Sequence, residues 1–284
     1  MLPIVGSIVV IASVLGGFVL SHGHVAALWQ PYELLVIGGA ATGGFLIANP
    51  MKVVKATFSS ILSVLKGPQY KKQSYLEILA LMYELLSTAR KSGMMSLEGH
   101  IEDPGASTIF SKYPSIAKDH HLLEFITDCL RMIVSGNMSP HELEPLLDLE
   151  LETHHHEAEA PAHALTRVSD SLPGFGIVAA VLGIVITMGS IGGDIAAVGA
   201  HVAAALVGTF LGILLAYGFV GPLAVAIEGQ AHADGKAFEA VKMGLIASLH
   251  GYNPNIAVEF ARKTLNSDMR PSFSQLETHL KGQK

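Results

Sequence analysis

Three adjacent histidines, His154 to His156, interrupt a run from Glu142 to Glu159 that holds seven acids and no bases. Imidazoles and carboxylates are common zinc ligands, so metal chemistry is the first possibility to weigh. Adjacent residues on a helix point in different directions, however, and zinc sites draw on spaced ligands. The run reads better as a solvated acidic connector, and no metal or other cofactor is assigned to it. The single cysteine, Cys129, rules out an internal disulfide. Its neighbours Ile126, Leu130 and Ile133 mark a buried thiol on a helix face. No catalytic residues are assigned, and the chain is not read as an enzyme.

A second set of candidates lies in apolar sequence. Ser171 to Ile227 contains no Lys, Arg or Glu and divides into the runs Leu172 to Ser190 and Ile195 to Ile227, around a turn at Ile191 to Asp194. Each run is long enough to cross ~30 Å of hydrocarbon at ~1.5 Å per residue. Pro173 and Pro222 lie near the ends that join polar sequence, so both helices are weakened at about the same depth. The plainer alternative makes Pro173 a first-turn proline after Asp170 or Ser171. Thr209 is the one small hydroxyl at mid-depth of the last span, and it has a plain alternative in bonding to its own helix. Ala204, Gly208, Gly212 and Ala216 recur every four positions and form a seam where another backbone can approach closely.

These residues must be positioned by membrane helices. Met1 to Leu20 is a first span, and Leu34 to Ala48 a second that is short unless Pro31 and Tyr32 belong to its start. Trp29 and Tyr32 suit the membrane interface. Gly39 and Gly43, with Ala40 and Gly44, repeat the small-residue spacing. Across the four spans this reading finds no acid, and His201, near the outer end of the fourth, is the only base. Relaying a proton through hydrocarbon needs an ionisable group, usually a carboxylate inside the bundle. Either the chain moves no ions, or it builds one wall of a path whose titrating residue belongs to another chain. Thr209 and the paired prolines favour the second.

Composition agrees with a membrane location. Half the residues are hydrophobic, 15% are charged and the mean hydropathy is +0.45. A net charge of −6 with scattered Lys and Arg excludes a nucleic-acid footprint, so lipid rather than nucleic acid is the expected surrounding partner. The apolar N-terminus lacks a leading Lys or Arg and a small-residue cleavage site, and reads as a retained anchor. Lys52 to Arg167 holds eleven basic residues and Lys236 to Lys284 seven, whereas the turns at Ser21 to Pro31 and Ile191 to Gly199 hold none. The positive-inside rule then puts both termini and the long middle segment in the cytoplasm.

The middle segment is polar and helical in its spacing. Lys52 to Leu65 precedes a stop at Gly67 and Pro68, the Tyr75 to Ala89 pattern precedes Gly93, and Leu122 to Val134 precedes Gly136. Ser139, Pro140 and Glu142 form a helix-start signature. No segment alternates as a strand does. The expected fold is all-α, with four transmembrane helices and a helical cytoplasmic domain. Its parts are a hairpin over 1–49, a cytoplasmic domain over 50–169, a second hairpin over 170–227 and a helical tail over 228–284.

The sequence resembles the MotA family of flagellar motor stator subunits. The similar blocks are SLPGFGIVAAVLGIV at Ser171 to Val185, VGTFLGILLAYGFVGP at Val207 to Pro222, IAVEFARKTL at Ile256 to Leu265, and RPSF at Arg270 to Phe273. The resemblance implies a pentameric ring around a MotB dimer, whose membrane aspartate carries the proton that these spans cannot. It implies torque on the rotor protein FliG through the charges Arg90, Glu98 and Glu150, and places the chain in the bacterial inner membrane. Pro173, Pro222 and Thr209 match family positions tied to ion flow and its coupling.

Sodium-driven relatives carry a threonine in the third span where this chain has Ala179 and Ala180. Gly174 to Ile186 offers no side-chain oxygen to a hard cation. A proton is therefore the expected ion. The competing expectation is a TolQ or ExbB energiser of an envelope process, but those chains have three spans.

Overall fold

The computed structural model describes residues 2–136, 139–189 and 195–282. Among them the chain is helical, with no strand. In order the helices are α1 (Leu2–Leu20), α2 (Pro31–Ala48), α3 (Met51–Lys66), α4 (Lys72–Ser92), the short α5 (Glu98–Glu102) and α6 (Pro114–Ala117), and α7 (His120–Val134). They continue with α8 (Pro140–Gly189), α9 (Ile195–Leu215), a π-helical turn (Ala216–Val220), α10 (Gly221–Leu249), α11 (Pro254–Thr264) and α12 (Phe273–Gly282). The turn expected at Ile191 to Asp194 lies outside the described residues.

Four helical stretches are long and apolar enough to cross a membrane, and they lie where the hydropathy placed them: 2–20, 25–48, within 140–189 and within 195–249. Two details differ from expectation. The third span is not a separate helix, because α8 runs without a break for 50 residues and carries polar sequence directly into the apolar run. The α-helix of the second span starts at Pro31, whose ring is preset for the first helical position, so Tyr32 and Glu33 are inside the span. The spans therefore do contain an acid.

Two compact units result. One comprises residues up to Gly67 with Ala158–Gln230. Here α3 groups with the spans: Val64 packs with Ala162, Leu165, Ala224 and Ile227, and Gln230 Nε2 donates to Ser63 Oγ at 2.9 Å. Much of the apolar surface of this unit faces outward, as Ile8, Val9, Leu35, Val181, Val185 and Leu206 do. That is the surface lipid requires.

The other unit comprises Pro68–Glu157 and Ala231–Lys284 and has a conventional core. Ile78, Leu79, Met82, Leu85 and Leu86 on α4 pack with Phe125, Ile126 and Leu130 on α7, Val241 and Leu245 on α10, Val258 on α11 and Leu276 on α12. Each such side chain contributes about 1.5–3 kcal/mol of burial.

Local chemistry sets the helix ends. Asp119 accepts from the Leu122 N–H at 3.2 Å to start α7, and Gly93 and Gly136 leave their helices at φ of 88° and 69°, which disfavour a side chain. The Ser139 signature is half a capping box: Glu142 Oε2 accepts from the Ser139 N–H at 2.8 Å and from its hydroxyl at 2.7 Å. Those bonds hold the Glu142 carboxyl below its usual range. Burial, followed by the nearby Glu150 and Asp128, pushes the Cys129 thiol far above its usual value, which leaves it inert as read.

Candidate functional site

The small residues of α9 meet α8 along a close crossing. A methyl placed on Gly212 would stand 2.7 Å from the Leu172 carbonyl oxygen and 2.9 Å from Gly176 Cα. One placed on Gly176 would stand 3.0 Å from the Gly208 carbonyl oxygen and 3.3 Å from Thr209 Cα. The backbones are thus close enough that a side chain on Gly212 would force them apart, and one on Gly176 would need its neighbours to give by a few tenths of an ångström. Ala216 is fully buried at the lower end of this line.

The upper end shifts by one position from the sequence reading. Ala204 is partly exposed, and Ala205 packs instead, with its Cβ 2.9 Å from a methyl placed on Gly183. A strict four-residue repeat drifts around a helix of 3.6 residues per turn, so the contact line steps from 208 back to 205.

Gly208 is where three helices meet. A methyl there would lie 3.2 Å from Ala179 Cβ, 3.3 Å from Glu33 Cγ and 3.6 Å from the Ala180 backbone nitrogen. The structure therefore brings Ala180, Gly208 and Thr209 to one level and adds Glu33 of α2, which the sequence reading had placed outside its span. The signal for Glu33 was present in Pro31, a good helix-start residue two positions earlier.

The prolines behave differently from each other. Pro173 lies inside α8 and is not a first-turn residue, because that helix already starts at Pro140. Pro222 follows the π-helical turn. It has no N–H for the Gly218 carbonyl four residues back, and a wider turn relieves the ring clash. Ala216 O accepts the Gly221 N–H across this turn and also the Ser169 hydroxyl at 2.9 Å. Ser169 is buried and ties α8 to the turn, a partner that sequence spacing did not reveal.

The charged candidates belong to the other unit. Arg90 ends α4 and is exposed, beside Met94, Tyr252 and Pro254. Glu98 opens α5 and is exposed in a shallow cleft with Met95, Glu102 and Arg131. Arg131 itself bonds Glu102 at 3.0 Å and Asp128 at 2.7 Å. Glu150 differs in being partly buried on α8; burial first, and then Asp128 and Glu124, raise its pKa. Two arginines in the resembling blocks turn out to be internal ties: Arg262 donates to the Pro271 carbonyl at 2.9 Å, and Arg270 to the Leu265 carbonyl at 2.7 Å.

The three histidines point apart, as helix geometry requires. His154 stacks on Phe238 at 4.2 Å between ring centroids. His155 Nε2 meets His232 Nδ1 of α10 at 3.1 Å, one ring donating to the other. His156 is exposed, with Nε2 3.8 Å from Glu152.

Two family models match this chain: motility protein A N-terminal over residues 4–93, and the MotA/TolQ/ExbB proton channel family over residues 117–240. Motility protein A of Salmonella typhimurium is 50% identical over 99% of this chain and 95% of its own length. The Escherichia coli protein is 48% identical over 100% and 96%. Chemotaxis protein LafT of Vibrio parahaemolyticus is 43% identical over 98% of each. The fold matches a solved C. jejuni MotAB structure with a TM-score of 0.77 at 20% identity, covering 95% of this chain and 98% of that one. It also matches the Bacillus subtilis flagellar MotAB stator complex, with a TM-score of 0.71 at 22% identity, covering 97% and 98%. These relatives are motility and proton-channel proteins rather than enzymes. With its four spans and its glycine-packed α8–α9 crossing, the chain is a multi-pass membrane protein that belongs to the motility protein A family, within the MotA/TolQ/ExbB proton channel family.

Proposed function

We propose that this chain is a stator subunit of a bacterial flagellar motor, which couples proton flow to rotation. The observation that carries the reading is the α8–α9 wall: Gly176, Gly208 and Gly212 pack two spans tightly beside Ala180 and Thr209, with no acid on α8 from Ser171 to Gly189 or on α9. Such a wall needs a carboxylate opposite it, and a MotB-like membrane partner supplies one as an aspartate. The name MotAB of the matching solved complexes supports that partnership and an oligomer, here a pentameric ring of this chain.

Arg90, Glu98 and Glu150 then face the rotor protein FliG. Rim charges do more for orientation and on-rate than for affinity, which suits a contact made and released at every step. The basic-residue distribution supports an inner-membrane location with both termini in the cytoplasm. The absence of side-chain oxygens over Gly174 to Ile186 supports a proton rather than sodium.

Deleting the coding sequence in a swimming strain is expected to abolish motility while leaving flagella assembled, and re-expression should restore it. A deletion that swims normally but fails in an envelope process would favour a TolQ or ExbB role instead.

A further inference from the structure

The second span carries a carboxylate that the reading above leaves without a role. Glu33 lies in the first turn of α2, and its Oε2 is shut off from solvent with no hydrogen-bond partner among the described residues. Its stem reaches α9 at Gly208, 3.3 Å from where a methyl on that glycine would be. That is also the level of Ala180 and Thr209 on α8 and α9. A first-turn acid is favoured by the helix dipole, which explains a carboxylate on α2 but not the enclosure of one of its oxygens beside α9.

A carboxylate oxygen enclosed against a neighbouring span is costly unless the group is neutralised or paired, and in membrane proteins such groups mark proton paths. In α1, α2, α9 and residues 171–189, the other titratable side chains are Tyr32 and His201. His201 Nδ1 is likewise shut off, with no partner among the described residues. It precedes Gly208 by seven residues, so it lies on the same face of α9, nearer the helix start by about 10 Å.

We propose that Glu33 is a proton-exchanging group of the ion path, with His201 the next titratable group outward. This rests on the stator reading. The ionised carboxylate takes a proton from the outer aqueous side and becomes neutral, then releases the same proton to the partner subunit's carboxylate and returns to its charged form. No other bond is made or broken.

The full-length chain, co-purified with its partner and reconstituted in proteoliposomes containing a pH-sensitive dye, tests this. Glu33→Gln keeps the shape and removes the exchangeable proton. It should lower proton flux at least about tenfold, while Glu33→Asp keeps roughly half or more. Partner recovery should be the same for all three complexes. Wild-type flux in the Gln variant overturns the proposal, and so does an Asp variant as defective as Gln, which would show a role in shape alone. Should the variants fail to assemble, a hydrophobic carbodiimide applied to the wild-type complex should modify Glu33, as read by peptide mass; an unmodified Glu33 overturns the proposal. A wild-type complex that carries no protons would instead remove the stator reading, and this inference with it.

Discussion

Gly212 on α9 and Gly174 on α8 differ in their surroundings: one is pressed against the Leu172 carbonyl, and the other has nothing within 4 Å. Gly212→Ala should therefore lower the thermal stability of the purified chain by about 1–3 kcal/mol through overpacking, whereas Gly174→Ala leaves it unchanged or slightly raised. Equal melting behaviour of the two variants would contradict the close crossing. His154 makes a second prediction at this scale. Its burial against Phe238, followed by the charges of His121 and His155, lowers its pKa below the usual histidine value. The unfolded chain then binds the proton more readily, so this residue withdraws stability as pH falls through about 6.5. The melting temperature should drop on acidification from neutral pH, and His154→Phe should make the drop shallower. An unchanged slope would show that His154 titrates normally.

At the scale of elements, the π-helical turn between α9 and α10 is where an apolar helix can change direction at low cost. Pro222 frees a carbonyl and the turn widens, while the Ser169 hydroxyl and the Gly221 N–H both bond Ala216 O. Irregular backbone at a membrane span survives where such partners satisfy it. Pro222→Ala restores an N–H and should let the turn tighten to an ordinary α-helix. Torque in tethered cells is expected to fall while the amount of protein in the membrane stays normal, and full torque would reduce Pro222 to a passive kink. Pro173, deep inside the unbroken α8, lacks a π-helical turn of this kind, so its substitution should affect torque less than that of Pro222.

At the scale of the whole molecule, the unit with the exposed charges and the unit with the spans are separate cores, so a charge change in one should spare insertion of the other. Arg90→Glu should reduce swimming with normal membrane levels, because an exposed charge contributes only about 0–1 kcal/mol to folding. Normal swimming would count against a rotor contact at that residue. Swimming speed should also be indifferent to sodium at constant proton-motive force, and a speed that follows sodium would falsify the proton assignment.

The sequence by itself determined the helical class, the four spans, the stops at Gly93 and Gly136 and the divergence of His154 to His156. Each follows from periodicity, hydropathy or backbone conformation, which act over a few residues. Only the tertiary structure decided the rest. Glu33 escapes a hydropathy reading, which ends a span at its last apolar residue, while the enclosure of its Oε2 depends on the helix beside it. The step from Ala204 to Ala205 needed the angle at which α8 crosses α9. The tie between Ser169 and Ala216 joins residues 47 apart, and His155 finds His232 at a separation of 77. Side chains that distant become neighbours only when helices pack, and no spacing rule along one helix encodes which helices those are.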